Sequence, residues 1–175
     1  MAEFYFIRHG SADFSEAGRK FYKNEGSFMF TLSEKGIEQA KAAAKDKRLA
    51  GADLIITSPF GRALHTAAIL SKELQTDIRI ETDLHEWFAD VYGYSYLDDE
   101  TANNNYREFN DCGGKYPEGE ERQWESAEMI KERVSKVLDK YEGYKKVIVV
   151  SHGVLMQYFL GIEHPTNCEI VGFEK

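Results

Sequence analysis

The sequence predicts an α/β fold: a three-layer α/β/α sandwich with a mostly parallel central sheet and a small irregular cap insertion. Three short apolar runs, at Phe4–Ile7, Leu54–Thr57 and Val147–Val150, each stop at polar residues. A pattern typical of a helix follows each run, and this alternation indicates buried parallel strands connected by helices. Ligands of such sheets bind beyond the carboxyl ends of the strands, so the residues at these three ends are the first candidates for a site.

Length and composition indicate one globular domain over residues 1–175. Apolar residues make up 42% and charged residues 30%, and no apolar run is long enough to span a membrane. No signal peptide is evident, and Cys112 and Cys168 match no metal or redox spacing, so we expect two free thiols in the cytoplasm. The net charge of −8 argues against nucleic-acid and membrane partners, but a local cluster of arginines can still bind a small anion.

The first half of the chain is predicted to contain three strands and two helices. A strand at Glu3–Arg8 is followed by an irregular stretch that ends near Phe30. Ser33 is expected to cap an alanine-rich helix that runs to Arg48 and closes at Gly51. The remaining elements are a strand at Leu54–Thr57, a helix with Ser58 as its cap and Pro59 at its first position that ends near Leu74, and a strand at Ile78–Ile80.

The second half begins with the least regular part of the sequence. Residues 90 to about 123 are rich in glycine and asparagine and contain one proline, so we expect an irregular cap over one end of the sheet. Apolar residues at helical spacing predict a long helix from about Glu121 to Tyr141. A strand at Val147–Ser151, a helix at Gly153–Leu160 and an edge strand at Ile170–Phe173 complete the prediction.

Two strand ends carry the same kind of junction, Arg8-His9-Gly10 and Ser151-His152-Gly153. Arginine offers fixed charge and forked N–H donors that suit phosphate, and Arg62 also lies in the first turn of a helix, where an anion is favoured. A histidine that nearby arginines keep neutral is a competent nucleophile. We therefore expect two histidines and two arginines to meet in one phosphate pocket.

Five motifs occur in a fixed order along the chain: Arg8-His9-Gly10, Leu32–Ala40, Ser58–Ala67, Leu84-His85-Glu86 and Ser151-His152-Gly153. Their types and order resemble those of the histidine phosphatase superfamily, also called the phosphoglycerate mutase-like family. The segments Pro117–Glu120 and Asn167–Ile170 are also similar to that family. The resemblance covers essentially the whole chain. It implies the α/β/α fold and, in the phosphatase branch, a hydrolase of small phosphate esters that needs no cofactor.

The resemblance also implies a role for each site residue. His9 would be the nucleophile and would carry the phosphoryl group as phosphohistidine. Arg8, Arg62 and His152 would form the phosphate pocket, with His152 among the catalytic residues. Glu86 would be the general acid that protonates the leaving oxygen and then activates water. The nearby acids Glu81 and Asp90 are the alternatives for that last role.

One departure from the family pattern follows the first motif. The family often has Thr or Ser and then Asn there, whereas this chain has Ala12 and Ser15, and Ser15 is expected to donate a hydrogen bond to phosphate. Three basic residues come next and favour a solvated charge run, the alternative being a lid for a second anionic group. They are Arg19, Lys20 and Lys23.

Two other histidines and an aromatic segment have no assigned chemistry. His65 stands where the family commonly has glutamine and is interpreted as a helix-surface residue, while His85 either touches substrate or packs. The aromatic residues after Glu86 are interpreted as cap core, with an apolar wall of the pocket as the alternative. They are Trp87, Phe88, Tyr92, Tyr94 and Tyr96.

No pattern in the sequence predicts a metal or nucleotide site. Neither a His-Glu-x-x-His sequence nor a glycine-rich phosphate loop is present, so the expected metal set is none. The predicted function is a metal-independent phosphatase of small phosphate monoesters, and the short chain after the last strand is expected to leave its pocket open to water. The alternatives are a cofactor-dependent phosphoglycerate mutase and a catalytically weak phosphate-ester or protein-binding module. The substrate and the oligomeric state stay open.

Overall fold

A five-stranded sheet forms the centre of the molecule. The computed structural model describes residues 2–17, 24–92 and 98–175. The strands in these residues are β1 (Glu3–Arg8), β2 (Leu54–Thr57), β3 (Ile78–Ile80), β4 (Lys146–Ser151) and β5 (Ile170–Glu174). Their order is β3-β2-β4-β1-β5, and every neighbouring pair is parallel except β1 with β5. The sheet confirms the predicted fold class.

Helices cover both faces of this sheet. They are α1 (Glu34–Ala43), α2 (Gly61–Leu74), α3 (Asp99–Asp111), α4 (Ala127–Asp139) and α5 (Gly153–Leu160). Side chains alternate along each strand, so β1 packs Phe4 and Phe6 against α4 and α5 and turns Ile7 toward α1 and α2. The result is three layers with a separate apolar core on each face of the sheet.

Strand β4 lies between β1 and β2, and this position brings three strand ends together. In the registers, Ser151 lies opposite Arg8 on one side, and Val150 lies opposite Thr57 on the other. Because all three strands run in the same direction, the residues that follow them leave the sheet at the same edge. The carboxyl ends of β1, β4 and β2 therefore form the floor of one site.

The first helix is shorter than its composition predicts. Ser33 is the cap, as expected, and its hydroxyl accepts a hydrogen bond from the Gly36 N–H at 3.2 Å. The helix ends at Ala43 rather than at Arg48. The carboxylate of Asp46 accepts from the Arg48 N–H and caps a short 3₁₀ turn, Lys47–Leu49, so this side chain supports a new turn in place of a longer helix.

The predicted start of the second helix is wrong. Its first residue is Gly61, and the preceding Phe60 makes no side-chain cap hydrogen bond. The hydroxyl of Ser58 does not cap the helix, because it lies 2.7 Å from the His152 imidazole and accepts from the Phe60 N–H. A tertiary contact has therefore taken the group that the local sequence assigned to helix capping.

The cap region contains a helix where an irregular segment was predicted. The Asp98 carboxylate accepts from the Thr101 N–H and starts α3, which buries Phe109 completely. The following helix, α4, begins at Ala127 rather than near Glu121, with Ser126 as its cap. The asparagines in α3 are poor helix formers, and packing of its apolar face outweighs that propensity.

No helix in the described part of the chain has both the length and the apolar character needed to cross a membrane. Cys112 and Cys168 are free thiols, as expected.

Candidate active site

The site lies where β1, β4 and β2 end. His9 follows β1, His152 follows β4, and Ser58 follows β2. The two imidazole rings are 5.2 Å apart between centroids and meet edge to face. Both histidines are buried, with only 7% of His9 exposed and His152 fully covered. The two junctions that the sequence singled out therefore form one cluster.

The hydrogen bonds of His9 determine which of its nitrogens is protonated. Nδ1 lies 2.7 Å from the carbonyl oxygen of Gly10, and Arg62 Nε donates to Nε2 at 3.1 Å. A carbonyl can only accept, so Nδ1 carries the proton and Nε2 presents a lone pair. Burial, and after it the positive charge of Arg62, lower the pKa of His9 to about 3, so the ring is neutral at pH 7. Burial thus contributes more to this neutrality than the arginines, which the sequence argument had emphasised.

Two arginines supply positive charge beside this nitrogen. Arg62 is the second residue of α2, and its guanidinium lies over the Phe60 ring at 5.3 Å. Arg8 donates through Nη1 to the carbonyl of Pro165 at 2.6 Å, while its Nε is buried without a hydrogen-bond partner. Burial lowers the pKa of both guanidinium groups, but they stay charged at neutral pH. A buried donor without a partner is a group that an anion can satisfy.

His152 has a ring nitrogen without a hydrogen-bond partner. Its Nε2 lies 2.7 Å from the Ser58 hydroxyl, and its Nδ1 is buried without a partner. Burial and the nearby charge of Arg62 hold the pKa of His152 well below its usual value. His152 also precedes α5, whose N-terminus favours a negative charge. The neutral ring therefore suits a hydrogen bond to a bound anion.

Glu86 joins the cluster from a separate loop. One carboxylate oxygen accepts from the N–H groups of Trp87 and Leu155, at 2.9 and 3.1 Å, and the other accepts from the Val154 N–H at 3.3 Å. The carboxylate thus caps the N-terminus of α5 and acts electrostatically on both Arg8 and Arg62. Its position beside the site fits a group that exchanges protons with a leaving oxygen or with water, and this role stays a prediction.

The two alternative acids have other contacts. Glu81 accepts hydrogen bonds from Tyr141 and Lys140, beside the end of α4. Asp90 accepts from the Tyr92 N–H. Of the three acids, Glu86 is the one whose charge is felt at both arginines of the site.

Ser15 has a contact that the sequence did not predict. Its backbone N–H donates to the Asp13 carboxylate at 2.9 Å, and its hydroxyl bonds the same carboxylate, which lowers the pKa of Asp13. The Ser15 side chain is exposed, and its predicted hydrogen bond to phosphate stays a prediction. The residues of the predicted charge run, together with two of the aromatic residues, lie outside the described part of the chain: Arg19, Lys20, Lys23, Tyr94 and Tyr96.

The two histidines without assigned chemistry both have packing roles. His65 is half-buried, and its Nδ1 accepts from the Leu32 N–H at 3.3 Å, so it fastens the segment before α1 to α2 and is not a plain surface residue. His85 stacks on Phe88 with ring centroids 4.3 Å apart. Burial is the main cause that lowers the pKa of His85 to about 4.

Three further residues contact the site, although the sequence predicted no role for any of them individually. Thr66 accepts from the Gly10 N–H at 3.0 Å and donates to the Arg62 carbonyl at 2.8 Å, so one hydroxyl joins the first motif to α2. Asn167 donates to the carbonyl of His9 at 2.9 Å, and the His164 ring lies 3.5 Å from Arg8. Thr66 and Asn167 belong to motifs that the sequence did single out, so a signal existed for them, whereas His164 has none.

The described residues contain no group of three or more His, Cys, Asp or Glu side chains placed to hold a metal ion. The cluster instead combines a neutral imidazole with a lone pair, two fixed cations, open N–H donors and one carboxylate. Such a set can bind a phosphate dianion and place its phosphorus beside the lone pair of a histidine nitrogen.

Comparisons with known proteins identify a family and several proteins of similar sequence or fold. A sequence model described as the histidine phosphatase superfamily (branch 1) matches residues 4–165. A Citrobacter koseri protein named "Probable phosphoglycerate mutase GpmB" is 28% identical over 160 residues, which is 89% of this chain and 72% of that protein. The structure of a mycobacterial glucosyl-3-phosphoglycerate phosphatase matches with a TM-score of 0.71 at 20% identity, over 98% of this chain and 89% of that one.

A phosphoglycerate mutase structure is nearly as similar. The crystal structure of this enzyme from Bacillus anthracis matches with a TM-score of 0.69 at 18% identity, over 98% of this chain and 86% of that one. At such identities the likeness shows a common fold, and the reactions of these proteins are not transferred with it.

Proposed function

Because the chain belongs to the histidine phosphatase superfamily, we propose that it is a phosphatase that hydrolyses small phosphate monoesters without a metal, through a phosphohistidine on Nε2 of His9. The observation that carries the proposal is the state of this ring. Its Nδ1–H is bonded to the Gly10 carbonyl and its Nε2 lone pair faces Arg62. A buried, neutral and oriented nitrogen beside a fixed cation is what nucleophilic attack on a phosphate dianion requires.

The first half of the reaction forms the intermediate. Arg8, Arg62 and His152 bind the non-bridging oxygens, and Nε2 of His9 attacks phosphorus as the bond to the ester oxygen breaks. Glu86 gives its proton to the departing oxygen, so the alcohol leaves neutral. Arg62 Nε, which donated to the lone pair, then donates to a phosphoryl oxygen instead.

The second half returns the enzyme to its starting state. The Glu86 carboxylate takes a proton from water as the water oxygen attacks phosphorus, and the bond between phosphorus and Nε2 breaks. Inorganic phosphate leaves, His9 regains its neutral ring and Glu86 is again protonated. Water is the only co-reactant in this sequence.

The second candidate is a mutase, which the name of the Citrobacter relative favours. A mutase shares the first half of the reaction but returns the phosphoryl group to a hydroxyl of the substrate. The deciding assay supplies 3-phosphoglycerate with a trace of the bisphosphorylated form, and a panel of other esters, and follows 2-phosphoglycerate and free phosphate together. Phosphate release with little 2-phosphoglycerate supports the phosphatase, and rapid formation of 2-phosphoglycerate with little phosphate supports the mutase.

The same assay tests the nucleophile and the weak-binding alternative. His9→Ala should lose several orders of magnitude in turnover, and acid-labile phosphate should appear on the wild-type protein after a rapid quench and be absent from the variant. Near-normal turnover in His9→Ala would exclude the phosphohistidine route. A protein that binds esters but releases no phosphate from any of them would be a binding module.

Added chelator should leave hydrolysis unchanged. The proposed pocket stabilises the phosphoryl charge with two arginines and His152, so no divalent cation is needed for that purpose. Rates are to be measured before and after dialysis against chelator. A loss of activity that one metal restores would contradict this part of the proposal.

A further inference from the structure

A cluster of aromatic rings, which we call the aromatic wall, consists of Phe28, Phe60, Phe88 and His85. Phe28 stacks on Phe60 with centroids 4.3 Å apart and an interplanar angle of 18°, and it meets Phe88 at 5.8 Å. His85 stacks on Phe88, with ring centroids 4.3 Å apart and an interplanar angle of 22°. Phe28 comes from a 3₁₀ helix, His85 and Phe88 come from one loop, and Phe60 is the residue before α2.

The aromatic wall adjoins the proposed reaction centre. Phe60 lies 5.1 Å from the ring of His152, which itself lies 5.2 Å from the ring of His9. The guanidinium of Arg62 is positioned over the Phe60 ring. One ring, that of His152, therefore lies between the nucleophile and the nearest ring of the wall, and Arg62 contacts both His9 and Phe60.

The wall is separate from the two apolar cores of the domain. Neither core contains any of its rings, although Trp87, the neighbour of Phe88, packs on the larger core. Phe28, His85 and Phe88 are partly exposed, whereas Phe60 is buried. Rings that fill no core and stay partly open to solvent beside a site are candidates for ligand contact.

The wall is also held firmly by backbone contacts. Phe28 lies in a 3₁₀ helix, Asn24–Met29, that packs so closely on the start of α2 that a Cβ on Gly61 would lie 2.5 Å from the Met29 carbonyl oxygen. The Phe88 carbonyl accepts from the Glu125 N–H at 2.9 Å. A fixed apolar surface loses little entropy when it binds a rigid ring.

The loop that carries Phe88 and His85 also carries the proposed acid. Glu86 lies between these two residues in the sequence, and Nδ1 of His85 is hydrogen-bonded to the Glu86 carbonyl oxygen at 2.7 Å. An alcohol that receives its proton from Glu86 would depart beside the loop that carries His85 and Phe88. His85 is neutral at pH 7, because its pKa is lowered to about 4, so this part of the surface is uncharged.

We propose that the aromatic wall is the leaving-group subsite, and that the substrates are phosphate monoesters whose alcohol bears an aromatic ring a few bonds from the ester oxygen. The inference rests on the proposed function, since it takes the phosphoryl group to lie between His9, Arg62 and His152. It assigns the recognition of the alcohol to Phe28 and Phe88, which the reaction itself does not use.

The test compares two esters of primary alcohols, 3-phenylpropyl phosphate and propyl phosphate. Their leaving groups have nearly the same basicity, so a difference in kcat/KM reports on the ring alone. We expect the wild-type protein to prefer the phenyl ester by roughly 10-fold to 100-fold, since one ring buries a large apolar area. In Phe28→Ala and Phe88→Ala the preference should fall to about twofold.

Each preference is the ratio of kcat/KM for the phenyl ester to kcat/KM for propyl phosphate in the same protein. A general loss of activity affects both values and leaves the ratio unchanged. Phe28→Trp keeps a stacking ring and should keep most of the preference, which separates the role of the ring from a folding defect. Ile80→Ala removes an exposed apolar side chain from the outer strand β3 and should leave the ratio unchanged. Equal kcat/KM for the two esters in the wild-type protein would overturn the inference and leave the phosphatase proposal standing.

A binding measurement separates failure of the inference from failure of the proposed function. Calorimetry with 4-phenylbutylphosphonate and butylphosphonate, which contain no ester bond to hydrolyse, measures recognition of the ring without turnover. Tighter binding of the phenyl compound that is lost in Phe28→Ala supports the aromatic wall even if no ester is hydrolysed. Equal binding of the two phosphonates would contradict it.

Discussion

At the scale of single residues, backbone carbonyls and amides orient the reactive groups. The Gly10 carbonyl holds the proton of His9 on Nδ1, and Asn167 in turn fixes the backbone of His9. Thr66 then joins the Gly10 N–H to the carbonyl of Arg62. The nucleophile and its nearest cation are thus parts of one hydrogen-bonded unit, which preserves their geometry when the substrate binds.

Glu86→Gln should slow alkyl phosphates by roughly 10² to 10⁴ and p-nitrophenyl phosphate much less, because a good leaving group needs little protonation. The amide still accepts through Oε1 but supplies no proton, and its NH₂ faces the Val154 N–H. The measurement is kcat/KM against leaving-group basicity, with Glu81→Gln as the matched control. Equal losses on both kinds of substrate would assign Glu86 a structural role.

Thr66→Val should lower both stability and turnover. The substitution leaves the buried Gly10 N–H without an acceptor, which costs roughly 1–3 kcal/mol of unfolding free energy. Thr66→Ser keeps the hydroxyl and should retain most of the activity. Urea unfolding and kcat measured together check the prediction, and a stable, fully active valine variant would show that this hydroxyl does not position the site.

At the scale of elements, the helices near the site begin in two different ways, with a cap from a remote residue or with a local cap. Helix α5 has no side-chain cap of its own, since Glu86 from another loop accepts its first free N–H groups. Helix α1 instead follows the local rule with Ser33, and this side chain also donates to the Ser11 carbonyl beyond the first motif. Glu86 and Ser33 therefore each cap a helix and also connect that helix to another segment of the site.

Gly36→Ala should destabilise the protein by roughly 1–3 kcal/mol, although alanine favours a helix over glycine. A Cβ at Gly36 would clash with the carbonyl oxygen of Ser11, so α1 and the loop after His9 would have to separate. Gly143→Ala, where a Cβ meets nothing within 4 Å, is the control and should be close to neutral. Thermal unfolding measures both, and a stabilised Gly36→Ala protein would contradict the close approach.

At the scale of the whole molecule, the strand order concentrates neutral histidines at one sheet edge. Burial lowers the pKa values of His9, His85 and His152 in the folded state. Below the usual histidine value near 6.5, the unfolded chain therefore binds more protons than the folded one. The free energy of unfolding should therefore rise with pH between about 4 and 7, because unfolding in this range is accompanied by proton uptake.

His85→Phe should weaken this dependence on pH. The variant removes one buried histidine with a pKa of about 4 and keeps a ring against Phe88. Between pH 5 and 6, the slope of the unfolding free energy should fall by about 1 kcal/mol per pH unit, most of the contribution of one proton. Urea titrations at several pH values measure the slope, and an unchanged slope would show that His85 titrates normally in the folded protein.

The sequence by itself determined the strands, the mostly parallel sheet and the two His-Gly junctions. The strands are short buried apolar runs whose pattern is local, and β1, β2 and β3 match their predicted bounds. The order of the motifs was enough to identify the family. These features depend on neighbours along the chain, so they can be recognised without a structure.

Only the tertiary structure decided which groups meet. It took Ser58 from the cap of α2 to His152, placed Glu86 at the start of α5, and formed α3 where asparagines had predicted an irregular cap. Each of these outcomes depends on a partner remote in sequence, whose hydrogen bond or apolar contact outweighs the local preference. The same is true of the aromatic wall, whose rings come together only when the loops fold onto the sheet edge.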